Sequence, residues 1–293
     1  LVGETVLEVT NYNDSFVVIR ASAGDEGTGD VVLIANSGAL TTKTNAWTYA
    51  VEGDIDTVEP STGQYGTFVR ISGSKLRGGG GEVVSASLAG VDAEIHNESS
   101  TVVWIRPGPS SSGTGHVILT SDSGATVTEE NGFTYDSPSI IESITPTSGQ
   151  ENTEVSIFGT GLRGKSNSVT SATLSGLEAT ITFENDTLVV VSAANSDSYF
   201  GSDIILTASN GAITRGENLW SYVSEGAIES VTPENGQQGT KVTLAGTSLL
   251  ANGSSIVRVD LAGLDADVDS AANDEIVVIA GDGDAGTGDI VVY

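Results

Sequence analysis

The sequence predicts an all-β chain in which one small sandwich is copied in tandem, and three observations carry that reading. Landmarks recur at a fixed interval: Pro60, Pro146 and Pro233, each opening a Pro-x-x-Gly-Gln turn, stand 86 and then 87 residues apart. At the same intervals Gly38, Gly73 and Gly90 recur as Gly124, Gly159 and Gly176, then as Gly211, Gly246 and Gly263. Trp47, Phe133 and Trp220 follow suit, each two residues before Tyr49, Tyr135 and Tyr222. Such a period means one folding unit repeated along the chain, and its length suits a whole β-domain rather than a helical solenoid unit. Composition agrees, since Val, Ile, Thr, Ser and Gly dominate while helix-forming charged residues are scarce. Finally, no segment shows a convincing helical period.

One unit shows how the elements follow. Ile55–Val58 is short and apolar, and Glu59 to Gly63 turns. Thr67–Ser72 alternates and ends at Gly73, and Val83–Leu88 alternates and closes at Gly90. Ala93–Ile95 is brief, Asn97–Ser100 turns into Thr101–Arg106, and a Gly/Ser/Pro loop leads to His116–Ser121. Asn131–Tyr135 closes the unit. Seven short strands divided by turn residues read as an antiparallel sandwich of immunoglobulin type. Alternation assigns Val69, Ile71, Leu88, Val103, Ile118 and their copies to the core. Trp104 and Trp220 also lie on strand patterns, which favours core over a sugar-stacking platform.

The ordered motifs resemble a known family. Ile-x-x-[Ile/Val]-x-Pro-x-x-Gly opens at Ile55, Ile141 and Ile228. A Gly-Thr or Asn-Thr step, a strand ending in Gly, [Leu/Val]-[Ala/Ser]-Gly, an Asn-Asp-like turn, a Val-Val strand and an aromatic-x-Tyr follow. The chain resembles a tandem array of IPT/TIG domains, the immunoglobulin-like modules of plexin-type receptors, secreted bacterial and algal surface proteins and some transcription factors. The resemblance implies seven-stranded sandwiches arranged end to end, which serve mostly as spacer or interaction modules. It divides the chain into a partial unit at 1–52, complete units at 53–138 and 139–225, and a partial unit at 226–293. Joints of about five residues between them leave little slack, so a semi-rigid rod is expected.

Charge narrows the partners. Lys and Arg number 11 against 39 Asp and Glu, a net charge of −28, with 37 Gly and neither Cys nor Met. Neutralising phosphate needs Lys/Arg clusters that this chain lacks, so nucleic acid and anionic membranes are excluded as partners. That removes the transcription-factor branch of the resemblance. Without cysteine there is no disulfide framework and no thiolate chemistry. No apolar run approaches the roughly 20 residues of a membrane helix.

Candidate sites are few. The loop Asp282-Gly-Asp284-Ala-Gly-Thr-Gly-Asp289 alternates oxygen donors about glycine, as Ca²⁺ coordination requires. Asp25 to Asp30 is its counterpart, yet the loops at 109–115 and Ser196–Ser202 do not keep the ligand set, so a solvated loop with at most loosely bound calcium is expected. Asn13, Asn97 and Asn185 each begin an Asn-x-Ser/Thr acceptor before a Val-Val step, which places N-linked glycans at one recurrent corner. Asn252 is a fourth acceptor, and Asn273, in the copy of that turn, lacks the hydroxyl residue. No cofactor is implied. His96 and His116 complete no Ser-His-Asp set, and the carboxylates are scattered over turns, so no enzyme is expected.

Two functions compete. One is an extracellular structural protein whose copies assemble head to tail into a fibre, stalk or sheath, the partial units at each end belonging to a longer array of which this is a window, the favoured reading, or being completed by the ends of neighbouring copies. The other is a cell-surface adhesin or receptor stalk binding a protein or glycan. A binding unit should carry a distinctive loop insertion or exposed aromatic cluster. None is legible, which favours the structural role, outside the cell or on its surface.

Overall fold

The structure, a computed structural model, describes residues 8–196, 203–251 and 253–293. Among them there is no helix, and strands connected by turns account for the architecture. The chain divides into two compact units. One holds the described residues to Thr62 together with Phe68–Gly108 and Gly113–Tyr135; the other holds Gly63–Thr67, Pro109–Ser112 and the residues from Asp136 onward.

In the first unit, hydrogen bonds link Asp54–Glu59, Val69–Ser74, Val102–Pro107, Val91–Glu98, Val83–Leu88, Gly113–Ser121 and Thr126–Tyr135 in that order. The series folds over on itself, because one buried cluster joins Ile55, Val69 and Ile71 to Val117, Leu119, Phe133 and Tyr135. Each such side chain removed from water contributes about 1.5–3 kcal/mol. Before Ile55, the hairpins Glu8–Tyr12/Val17–Arg20 and Gly27–Ile34/Leu40–Tyr49 contribute no side chain to any of the buried clusters.

The second unit repeats the order twice. Ile140–Thr145, Glu154–Thr160, Leu188–Ser192, Leu177–Glu184, Val169–Leu174, Ile204–Ala208 and Ile213–Gly216 form one sheet. Ser148–Gly149 pairs in parallel with Ser221–Tyr222. Ala227–Thr232, Lys241–Thr247, Glu275–Ile279, Leu264–Ala271, Val259–Leu261 and Ile290–Val292 form the next sheet. Each copy has its own buried cluster, around Ile157, Leu174 and Trp220 in one and Leu244, Val259 and Ile276 in the other.

The recurrent residues have local physical roles. Ala89-Gly90, Ser175-Gly176 and Ala262-Gly263 each join two strands through consecutive positive φ angles, 48° and 82°, 52° and 82°, and 53° and 81°. That is the two-residue hairpin turn whose twist matches its strands, and its second position favours glycine. Gly73, Gly159 and Gly246 answer a different constraint: a Cβ there would collide with the backbone carbonyl of Asp54, Ile140 or Ala227. Phe133 and Tyr135 meet edge to face at 5.2 Å and 86°, and Trp220 and Tyr222 repeat this at 5.5 Å and 90°. Within the second unit, the turn glutamines Gln64 and Gln150 accept the backbone N–H of Ser139 (2.9 Å) and Gly226 (3.4 Å).

Two core expectations need correction. Ile118 is only half-buried, while Val117 and Leu119 are fully buried. A register shift between Gly115 and Val117 takes His116 out of the alternation, and a one-residue slip exchanges the two faces. Trp220 is core, at 1% exposure, but Trp104 is not, at 39%. Val103 and Ile105 point inward on either side of it, so Trp104 stands on the solvent face.

Candidate functional site

The outward face around Trp104 distinguishes the first complete repeat from its copies. Antiparallel pairing places Glu59, Arg70, Trp104 and Asn97 in one row across four strands. The same row in the next copy reads Thr145, Ser156, Val190 and Phe183, and in the last Thr232, Thr243, Val277 and Ser270. The first repeat thus combines an indole with two charged side chains and an amide in this row, whereas the second copy exposes Phe158 and Phe183 on the corresponding face without charged partners in the row. This overturns the expectation that no unit carries an exposed aromatic cluster.

Beside that row, the Arg106 guanidinium carbon lies 3.8 Å from the centroid of the Phe68 ring, and Arg106 pairs with Glu94 across the strands. The His96 ring lies 5.3 Å from Phe68 at 45°. Arg106 is held by the quadrupole of that ring, and its Nε is buried without a hydrogen-bond partner among the described residues. Phe68 is 38% exposed beside Trp104 at 39%, so two aromatic surfaces reach solvent together. Arg70 makes only a long contact to Glu59, at 3.9 Å between exposed side chains. Such a pair contributes little to stability and leaves both groups available to a ligand.

The sequons do not share one corner. Asn13 Oδ1 accepts the N–H groups of Ser15 and Phe16, and Asn185 Oδ1 accepts those of Thr187 and Leu188. Ser99, not Asn97, holds the equivalent turn, its Oγ accepting from Thr101 and Val102. Asn97 lies on the strand before that turn, directly opposite Trp104. Asn273 is displaced too, by one residue in the other direction: its Oδ1 accepts from Leu250, as Asp186 accepts from Arg163, while Ala272 takes the turn position. Asn252 lies outside the described residues.

Glu98, the middle residue of the Asn97 sequon, is committed to structure. Arg77 donates to it twice, at 2.7 and 2.9 Å, and the Val83 N–H donates at 3.1 Å. These hydrogen bonds, chiefly those of Arg77, hold its carboxyl below the usual range. Arg163, Glu184 and Val169 repeat the arrangement, with the same effect on Glu184.

The acidic loops have a local explanation. Asp30 accepts the backbone N–H of Asn45 at 2.9 Å, His116 Nδ1 that of Asn131 at 3.2 Å, and Asp203 that of Asn218 at 3.0 Å. Each asparagine sits at positive φ, and the side chain opposite it holds its backbone N–H. Asp289 occupies this position in the last copy. Asp282, Asp284 and Asp289 are not brought together: among the described residues no group of three His, Cys, Asp or Glu could hold a metal ion. Most of the loop Ser196–Ser202 lies outside the described residues.

The chain belongs to the IPT/TIG family, matching the IPT/TIG domain at residues 54–135, 139–222 and 227–293. No curated protein matches it. Among solved structures it is similar to the full extracellular region of plexin A4, at 17% identity over 81% of this chain and 21% of that one, with a TM-score of 0.40. It is also similar to SGBP-B from the mixed-linkage glucan utilisation locus of Bacteroides ovatus, solved in complex with a mixed-linkage heptasaccharide. There the identity is 14% over 94% of this chain and 63% of that one, with a TM-score of 0.27. The chain thus spans about a fifth of the first structure and less than two thirds of the second. No helix among the described residues is long and apolar enough to cross a membrane.

Proposed function

We propose that the protein is an extracellular or cell-surface stalk of tandem IPT/TIG sandwiches that binds a ligand through the outward face of its first complete repeat. One observation carries this reading: Trp104 stands exposed in a row with Glu59, Arg70 and Asn97, where its copies place Val190 and Val277 among small hydroxyl residues and Phe183. A spacer needs no such difference between repeats, whereas exposed aromatic and arginine side chains are what binding hot spots use. The proposal includes no chemical step, and it keeps N-linked glycosylation at Asn13 and Asn185 as modifications of the stalk. We rank it above the head-to-tail filament, which rests on the terminal partial units alone.

Probing the immobilised full chain with arrays of glycans and of peptides tests the reading, with Trp104→Ala as the comparison and Trp47→Ala as the control. The proposal expects signals that Trp104→Ala removes and Trp47→Ala leaves. If every signal survived Trp104→Ala, or none existed, the chain would return to the role of spacer.

A further inference from the structure

The face around Trp104 also constrains the chemistry of its ligand, and the inference rests on the binding role just proposed. We infer that it binds an uncharged pyranose glycan, with one sugar ring stacked on the Trp104 indole and its hydroxyls shared among Glu59, Arg70 and Asn97.

Three features select this class. Trp104 and Phe68 are about equally exposed, at 39% and 38%, but the Arg106 guanidinium occupies one face of the Phe68 ring at 3.8 Å. Trp104 is therefore the available platform, and the C–H face of a pyranose is apolar enough to cover it while its hydroxyls point sideways. The side chains in the same row are suited to hydroxyls: carboxylate Glu59 accepts, guanidinium Arg70 donates, and amide Asn97 does both. A ring over Trp104 has Arg70 directly across one neighbouring strand and Asn97 across the other, within the roughly 5 Å reach of directly opposed residues.

Charge decides between neutral and acidic sugars. On this face Arg70 and Arg106 are matched by Glu59 and Glu94, so it offers no net positive field, and the whole chain carries −28. A uronate or sulfated polymer would gain at most one guanidinium contact while meeting carboxylates on the same face and a repulsive field beyond it. An acidic peptide meets the same obstacle, and a basic one is opposed by the two arginines beside the platform. The uncharged sugar incurs neither cost.

Titrating the full chain, with Asn97 unmodified, separates the possibilities. The probes are a neutral hexose oligomer, the matching oligouronate and a mixed peptide library, read by calorimetry at physiological salt. The neutral oligomer is expected to bind at least tenfold more tightly than the oligouronate, a discrimination of about 1.4 kcal/mol. Trp104→Ala should abolish that binding. Glu59→Gln and Arg70→Gln should each weaken it severalfold without changing the thermal midpoint, which separates contact with the sugar from support of the fold. Should Trp104→Ala unfold, Trp104→Val, the residue of the copies, supplies the same reading. Tighter binding of the oligouronate, or Trp104-dependent binding of peptides alone, would overturn the neutral-glycan inference and leave the binding role standing. Failure of every probe to bind in a Trp104-dependent way would overturn both.

Discussion

Trp104 and Asn97 lie directly opposite each other on neighbouring antiparallel strands, so a group attached to one lies over the other. The sequon at Asn97 and the proposed platform are therefore competitors for the same space. Material glycosylated at Asn97 should lose binding to the neutral oligomer by tenfold or more, an estimate of about 1.4 kcal/mol. Enzymatic removal of the sugar should restore it. Glycosylation at Asn13 or Asn185, which hold turns elsewhere, should leave binding unchanged, and peptide mass mapping paired with titration reads both.

The Arg77–Glu98 and Arg163–Glu184 pairs predict a specific acid sensitivity. Both glutamates titrate below their ordinary value of 4.5 in the folded chain. A lowered folded value means stability that is present above the unfolded value and is lost as pH falls through the folded one. Unfolding followed downward from pH 5 should show wild type losing stability more steeply than Glu98→Gln/Glu184→Gln, with the difference confined to pH values under about 4.5. Equal slopes would contradict the assignment.

Tyr135 predicts the alkaline limb. Burial pushes its phenol up from 10 to about 12, and its hydroxyl is buried without a hydrogen-bond partner. The unfolded chain releases this proton first, so the contribution is intact below pH 10 and is lost as pH rises toward about 12. Tyr135→Phe should be at least as stable as wild type at neutral pH, by up to about 1 kcal/mol, because it removes an unsatisfied polar group. It should also lose less stability between neutral and strongly alkaline pH in denaturant titrations.

Gly73 and Gly113 form a matched test of the repeat logic. A Cβ at Gly73 would collide with the Asp54 carbonyl, whereas at Gly113 it would meet nothing within 4 Å. Gly73→Ala should cost about 2 kcal/mol or more, since the first strand must shift to admit it. Gly113→Ala should stay within about 0.5 kcal/mol. Chemical denaturation of the two variants gives both numbers.

The period, the hairpin glycines and the buried aromatic-x-Tyr pair were legible because each reflects a backbone or core constraint that every copy must meet. Trp104 was misread for a related reason. Its copies, Val18, Val190 and Val277, are all apolar, so the Val-Trp-Ile run reads as core although only Val103 and Ile105 point inward. Ile118 and Asn97 were misplaced by irregular register at His116 and between Trp104 and Ile105, which no residue type announces. The face itself exists only through lateral pairing of strands distant in sequence, and a chain read linearly does not show that Glu59, Arg70, Trp104 and Asn97 are neighbours.

The proposed binding face requires that one repeat of this array bind a neutral glycan while its copies do not. Amide chemical-shift mapping of the full chain against a neutral hexose oligomer tests it most directly. Saturable shifts are expected to cluster at 68–72, 94–98 and 102–106, with the copies at 154–158, 180–184 and 188–192 unmoved. Shifts spread equally over both sets, or none at the Trp104 indole N–H at saturating sugar, would contradict it.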